Sequence, residues 1–129
     1  MRRYNHDYDK EEIDSWATKR KMNPIRPEYL PDFGLIVPGL AVGFLYMTDS
    51  QLCAIHNIVA NPDSEPEDRS EAIDQIVGGL IEYAKQQGFT AVLGTTDVPV
   101  IVDRALAHGF IHSDRQFQMI IKYINNPLH

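Results

Sequence analysis

The sequence predicts a mixed α/β domain in which an antiparallel group of strands is joined to a parallel crossover. Residues 34–60 hold three apolar runs separated by short polar or Pro-Gly turns, which is typical of an antiparallel meander. The third run, Leu52 to Ala60, is followed by a polar loop, a long amphipathic helix and another apolar run, Ala91 to Thr95. A strand–helix–strand unit of this length favours parallel pairing of its two strands.

The composition limits the classes of function that the chain can have. It has 129 residues, 43% of them hydrophobic, which suits one domain, 1–129, with one core. Its net charge of -6 disfavours general binding to nucleic acid or to anionic membranes. No apolar run is long enough to span a bilayer, and the start lacks the apolar segment of a signal peptide, so we expect a cytoplasmic location.

The cysteine and histidine content argues against a metal site. Cys53 is the only cysteine and lies in an apolar run, so a small core residue describes it better than a nucleophile. The histidines are scattered without the spacing of metal ligands, and we predict no metal; they are His6, His56, His108, His112 and His129.

The first third of the chain is predicted to hold one helix between a short strand and a loop. Arg2 to Tyr4 suggest the strand. Asp9 and Glu12 have the spacing of a capping box, so we predict a helix from about Lys10 to Lys19. Residues 23–31 contain three prolines and are predicted to be a loop.

The predicted meander leads directly into the long helix. Gly34–Val37 and Leu40–Thr48 read as a hairpin, and the Leu52–Ala60 strand follows. Pro62 and Pro66 prevent its extension, and we expect the helix to open near Asp68, with Glu71 completing a capping box. A helix start beside a sheet presents free N–H groups and a positive dipole end to an anion.

The C-terminal part is predicted to add a second helix and two strands. Pro99 suits the first turn of this helix, and Gly109 suits its end. A brief strand, 110–113, and a final strand, 116–124, whose apolar residues alternate, would complete the sheet. The predicted order is therefore an N-terminal helix followed by β-β-β-α-β-α-β-β.

Three places in the sequence resemble the GNAT N-acetyltransferase superfamily. Residues 54–62 are similar to its central strand, Arg69 stands where its pyrophosphate-loop arginine begins a helix, and residues 104–110 are similar to its last helix, which closes in Gly-Phe. The segments 31–49 and 114–118 also look like small GNAT-like proteins of tailed phages. The resemblance implies a GNAT-like fold whose central strand splays away from the next parallel strand.

The resemblance also implies an activity and a set of site residues. It implies acetyl-CoA as cosubstrate and an amine acceptor that attacks the thioester directly, while the acidic net charge predicts no nucleic-acid partner. His56 stands near the family's catalytic base, and a strand histidine satisfied by a neighbour is the competing reading. By position, the main chain of Ile58, Val59 and Ala60 would hold the pantetheine arm. The diphosphate would lie on the amides of the first helical turn: Arg69, Ser70, Glu71, Ala72, Ile73 and Asp74.

Two departures from the family pattern leave the function open. Glu71 and Asp74 bring negative charge to the pyrophosphate loop, and two unit charges about 5 Å apart cost about 3 kcal/mol at an effective dielectric near 20. Ala105 stands where many members have the tyrosine that protonates the thiolate; Tyr83, His108 and Ser113 are the candidate substitutes. A non-catalytic domain that binds a host or virion protein, and an acyl-CoA sensor, therefore remain as alternatives. The acceptor is a small-molecule or protein amine, and we expect a possible homodimer.

Overall fold

The computed structural model describes residues 1–96, 98–113 and 118–124. Its five strands form one sheet in the order β1-β2-β3-β4-β5, in which β1 to β4 pair antiparallel and β4 pairs parallel with β5. This confirms the predicted mixed α/β class with an antiparallel part and a parallel crossover. In chain order the elements are β1 (Arg2–Arg3), α1 (His6–Lys19), a 3₁₀ turn (Pro27–Tyr29), β2 (Phe33–Val37), β3 (Ala41–Tyr46), β4 (Leu52–Ala60), α2 (Pro66–Gln86), β5 (Ala91–Gly94) and α3 (Pro99–Ala107).

The two faces of the sheet carry separate apolar clusters because side chains alternate along each strand. The α2 helix and Ile101 of α3 cover one face, where Leu45, Ile55 and Ile76 are buried. The α1 helix covers the other face through Ile13 and Trp16. The central strand β4 therefore lies between two helical layers.

The α1 helix begins four residues before the predicted start. Asn5 is its N-cap, and the Asn5 side chain accepts a hydrogen bond of 2.9 Å from Asp7 N. The Asp9–Glu12 capping box is wrong because the N-cap is Asn5, whose backbone amide donates a 2.8 Å bond to the Asp9 carboxylate, and Glu12 binds elsewhere. Asp9, 2% exposed, accepts bonds of 2.7 and 2.9 Å from Arg2, and Glu12 Oε1 accepts a 3.1 Å bond from Gly39 N.

The C-terminal strands predicted at 110–113 and 116–124 differ from the observed structure. Residues 110–113 and 118–124 form no strand, and the remainder of the second segment lies outside the described residues. The apolar side chains there are largely exposed, with Ile111 at 96% and Ile120 at 91%. Alternation reports which side chains could share a face, but a strand also needs a neighbouring ladder, which local sequence does not specify.

None of the helices within the described ranges combines the length and the apolar character that a membrane crossing requires.

Candidate functional site

The strands β4 and β5 part halfway along β4. Their pairing runs from Leu52 opposite Ala91 to Ile55 opposite Gly94, where β5 ends. β4 continues from His56 to Ala60, a length of about 13 Å at the usual rise of a strand. No β5 residue pairs with this second part, and this open edge is the arrangement that a splayed central strand requires.

A β-bulge lies at the start of the unpaired part of β4. Phe44 pairs with His56, and Val42 pairs with Val59. The two β4 residues between these pairs, Asn57 and Ile58, therefore lie opposite the single residue Gly43. Asn57 has φ 60°, in the left-handed region that asparagine tolerates better than most residues. The bulge turns the backbone at the point where the strands separate.

The absence of a side chain at Gly43 accommodates this bulge beneath α2. A Cβ atom added at Gly43 would lie 2.8 Å from Ile76 Cγ2 and 3.4 Å from Ile58 Cγ1. The first of these distances is shorter than real Cβ contacts allow, so α2 packs directly against the backbone of β3 here.

His56 lies at the mouth of the gap. Its Nδ1 atom is 3.3 Å from Thr95 Oγ1, and Thr95 directly follows β5, so this contact bridges the two strands. The ring of Tyr46 packs edge-on at a centroid distance of 6.0 Å. Within the described residues, the Nε2 atom of half-buried His56 has no hydrogen-bond partner, and it is therefore available to a ligand.

Tyr46 and Asn57 contact each other beside His56, an arrangement that the sequence alone did not predict. Asn57 Nδ2 donates a short hydrogen bond to Tyr46 Oη, which in turn donates a 3.3 Å bond to the Tyr29 carbonyl. Burial raises the pKa of Tyr46, and the bond from Asn57 opposes this shift. The sequence feature that could have indicated this contact is a polar asparagine within an otherwise apolar strand.

A largely apolar cavity adjoins Asn57 on the α1 side of the sheet. It lies between α1, the loop 22–30 and the β3–β4 pair, and Asn57 contributes a polar group to its wall. The cavity has a volume of only about 20 Å³, which is room for one water molecule and not for an organic group. Other lining residues include Ile13, Met22, Ile25, Leu30 and Val59.

The α2 helix begins at Pro66, two residues before the predicted start, and no side chain caps it. The capping box of Asp68 with Glu71 is therefore wrong, because proline already occupies the favoured first helical position. Arg69 N donates to the Glu65 carbonyl at 3.0 Å, and the amides after it lie inside the helical ladder. The amides left without an intrahelical acceptor belong to Glu67 and Asp68.

Two side chains of the predicted pyrophosphate segment, Ser70 and Asp74, contact α3 and the residue that ends it. Ser70 Oγ accepts bonds of 2.9 and 2.6 Å from Arg104, and Asp74 Oδ1 lies 2.9 Å from His108 Nε2. Glu71 is exposed, whereas Ala72 and Ile73 are buried in the core. The structure therefore brings two of the predicted loop residues into an interhelical contact.

The candidate substitutes for the missing tyrosine have other neighbours. Tyr83 stacks on Phe33 at a centroid distance of 3.6 Å, and His108 binds Asp74. Ser113 is exposed in the segment after α3. Within the part of the chain that the structure describes, no cluster of three His, Cys, Asp or Glu side chains could hold a metal ion.

The fold is similar to two solved structures. No protein-family model and no curated protein matches the sequence. The protein TTHA1254 from Thermus thermophilus has a TM-score of 0.68 at 12% identity, over 95% of this chain and 98% of that chain. An acetyltransferase of Trypanosoma brucei has a TM-score of 0.61 at 10% identity, over 93% of this chain and 97% of that chain. At these identities the likeness shows a shared fold alone, which is consistent with the predicted GNAT-like fold.

Proposed function

We propose that this chain is an acetyl-CoA-dependent N-acyltransferase that moves an acetyl group to an amine by direct attack. The observation that supports this most is the parting of β4 and β5 at His56, beside the bulge at Asn57. The similarity in fold to an acetyltransferase gives weaker support to the same class of reaction.

The unpaired part of β4 fits the extended arm of the donor. The backbone of Ile58, Val59 and Ala60 would offer N–H and C=O groups to the amides of a pantetheine chain lying in the gap. From the predicted pyrophosphate segment we keep Arg69, which contacts the loop that follows β4. Ser70 to Asp74 stay predicted positions for the diphosphate, but their amides lie inside the helical ladder, and the free amides at this helix end belong to Glu67 and Asp68.

His56 is the proposed general base. An amine is protonated at pH 7 and must lose a proton before its nitrogen can bond to the acetyl carbon and displace the thiolate. The Nε2 atom of His56 would take that proton, while Thr95 holds Nδ1 and Tyr46 packs against the ring. The nitrogen loses a second proton as the C–N bond forms and the C–S bond breaks, and the transfer of this proton to sulfur lets CoA leave as the thiol.

A non-catalytic, protein-binding GNAT-like domain is the second candidate. The side chains of Glu65, Glu67 and Asp68 place three carboxylates around the free amides of α2. Like charges near a diphosphate weaken its binding, although these side chains are exposed and therefore screened. An acyl-CoA sensor would bind the donor without transfer.

Calorimetric titration with acetyl-CoA, followed by detection of labelled acetyl groups on a panel of amines, separates these candidates. The enzyme predicts saturable binding and transfer. A sensor predicts binding alone, and absence of heat at millimolar acetyl-CoA would overturn both.

The His56→Gln variant tests the base. We expect turnover to fall about a hundredfold while donor affinity is unchanged, since positioned acid–base groups contribute at least this much. His6→Gln, an exposed histidine at the start of α1, is the matched control. Equal turnover in the two variants would remove His56 from the mechanism. The phage resemblance, the cytoplasmic location and the homodimer stay predictions.

A further inference from the structure

The two strands that part at His56 each lead into a helix. The strand β4 leads into α2, and the strand β5 leads into α3. Beyond the pair of Ile55 with Gly94, no strand pairing among the described residues sets the distance between the end of β5 and the unpaired part of β4. This distance therefore depends on how α2 and α3 are held together.

Side chains one turn apart on each helix form the contact between α2 and α3. Ser70 Oγ accepts hydrogen bonds of 2.9 and 2.6 Å from Arg104. Asp74 Oδ1 lies 2.9 Å from His108 Nε2 and 3.9 Å from Arg104 Nη1. Because residues four apart share a face of a helix, two successive turns of α2 meet the end of α3. These four side chains are named the interhelical clasp below.

A glycine of α2 makes room for the interhelical clasp. Gly78 follows Asp74 by one turn, and a Cβ atom added at Gly78 would lie 3.2 Å from His108 Cε1. Glycine in the interior of a helix lowers helix stability relative to alanine. Its presence here lets the imidazole ring of His108 lie against α2, which explains a residue that the helix by itself would not favour.

The α3 helix has little apolar contact to hold it on the rest of the molecule. Of its nine residues, all of which the structure describes, only Ile101 is buried. Val100 and Leu106 remain exposed. Hydrogen bonds to charged groups are among the stronger polar contacts in proteins, so we infer that the interhelical clasp carries much of the docking of α3.

The docking of α3 reaches His56 through Thr95. This threonine follows β5 and precedes α3, and its Oγ1 atom lies 3.3 Å from His56 Nδ1. We propose that Arg104 and Asp74 are positioning residues, which hold α3 against α2 in the interhelical clasp. The clasp thereby fixes Thr95, and with it the orientation of the His56 ring and the width of the gap. Its effect on acetyl transfer rests on the proposed function.

Asp74 departs from the family pattern and has a structural use here. Its carboxylate would repel a diphosphate, but its Oδ1 atom lies toward Arg104 and His108 of α3. The arginine, and the histidine when it is protonated, are counter-charges from the same protein. The departure therefore has a physical reason that does not involve the donor.

Nitrogen-15 NMR of the His56 ring in the full chain tests this positioning without any measurement of activity. Thr95→Val is the reference, since it removes the hydroxyl group that contacts Nδ1. Arg104→Gln and Asp74→Asn should shift the His56 signals toward those of Thr95→Val, and Arg104→Lys should recover part of the parent signal. The control Asp103→Asn makes the same change as Asp74→Asn at an exposed position of α3, and should leave the signals unchanged.

Steady-state kinetics tests the consequence for transfer. Arg104→Gln should lower kcat about tenfold, because a small displacement of a catalytic group is costly to the rate. Asp103→Asn should keep kcat within about twofold of the parent, as expected of an exposed substitution. A contact that only stabilised the fold would lower the melting temperature and leave both kcat and the His56 signals of the folded protein unchanged.

The outcomes separate the interhelical clasp from the reaction. Parent-like His56 signals in folded Arg104→Gln and Asp74→Asn would overturn the clasp, and the proposed function would stand if the parent still transfers acetyl groups. Displaced His56 signals in a protein that does not bind acetyl-CoA would support the clasp and overturn the proposed function. If Arg104→Gln does not fold, Ser70→Ala removes the same hydrogen bonds and carries the same test.

Discussion

The two halves of β4 belong to one strand but have different neighbours. The closed half, Leu52 to Ile55, pairs with β3 on one side and with β5 on the other. The open half, His56 to Ala60, pairs with β3 alone, across a bulge at Asn57. In the closed half both edges of β4 are paired in the sheet, whereas in the open half only the β3 edge is paired and the Ala60 carbonyl accepts a bond from Arg20.

This difference does not arise from composition, because both halves are mostly apolar. It arises from length: β4 has nine residues and β5 has four, so β5 ends at Gly94 while β4 continues. An unpaired strand edge can therefore follow from a difference in strand length, without a sequence motif. The variants below compare the two halves in order of their expected effect on unfolding.

The largest effect is expected from truncating the closed half. Ile55 is 5% exposed in the core, and Ile55→Ala should lower the free energy of unfolding by about 3 kcal/mol. The half-buried Ile58 packs against the same cluster from the open half, and Ile58→Ala should cost about half as much. Urea denaturation of both variants measures this, and equal losses would show that the two halves are packed equally well.

A smaller effect is expected at the junction of the two halves. Asn57→Val places a β-branched residue at φ 60° and removes the hydrogen bond to Tyr46, so we expect a loss of about 2 kcal/mol. Asn57→Gly is the control, since glycine adopts this backbone conformation freely. If both variants unfold at the same denaturant concentration, the left-handed conformation does not contribute to the cost.

The smallest effect is expected far from the gap, at the ion pair between Arg2 of the outer strand β1 and Asp9 of α1. The hydrogen bond from Arg2 lowers the pKa of Asp9 below its ordinary 3.8, so the folded state binds its proton less readily than the unfolded state. The stabilisation is thus fully present above pH 3.8 and is lost as the pH falls through the folded-state pKa.

Asp9→Asn should therefore be less stable than the parent by about 1–2 kcal/mol at pH 7, and the difference should shrink below pH 4. Thermal unfolding across this range measures it, and the exposed Asp7→Asn is the control. A difference between Asp9→Asn and the parent that is independent of pH would show that the ion pair is not its source.

The sequence predicted the meander, the long helix and the parallel crossover because each depends on local signals: turns, alternation and helical spacing. It misplaced the starts of α1 and α2, because Asp9 and Asp68 have capping spacing while Asn5 and Pro66 begin the helices. The final strands depend on pairing with distant residues, which local alternation does not determine.

The candidate site was likewise predicted only in part. The position of His56 followed from the family resemblance, and the structure places it where the strands part. The contacts of Asn57 with Tyr46, Thr95 with His56, and Arg20 with Ala60 join residues 11, 39 and 40 positions apart. Such contacts require the register of β3 on β4 and the packing of α1, neither of which is visible in a local pattern.

The missing side chain at Gly43 has a consequence for this geometry. Ile76 of α2 packs directly on β3 there. The glycine at position 43 therefore sets the distance between α2 and the sheet. A methyl group at this position would collide with Ile76 and push α2 away from the sheet. Arg69, about two turns earlier in α2, would move outward with the helix and away from the Ser64 carbonyl that it binds.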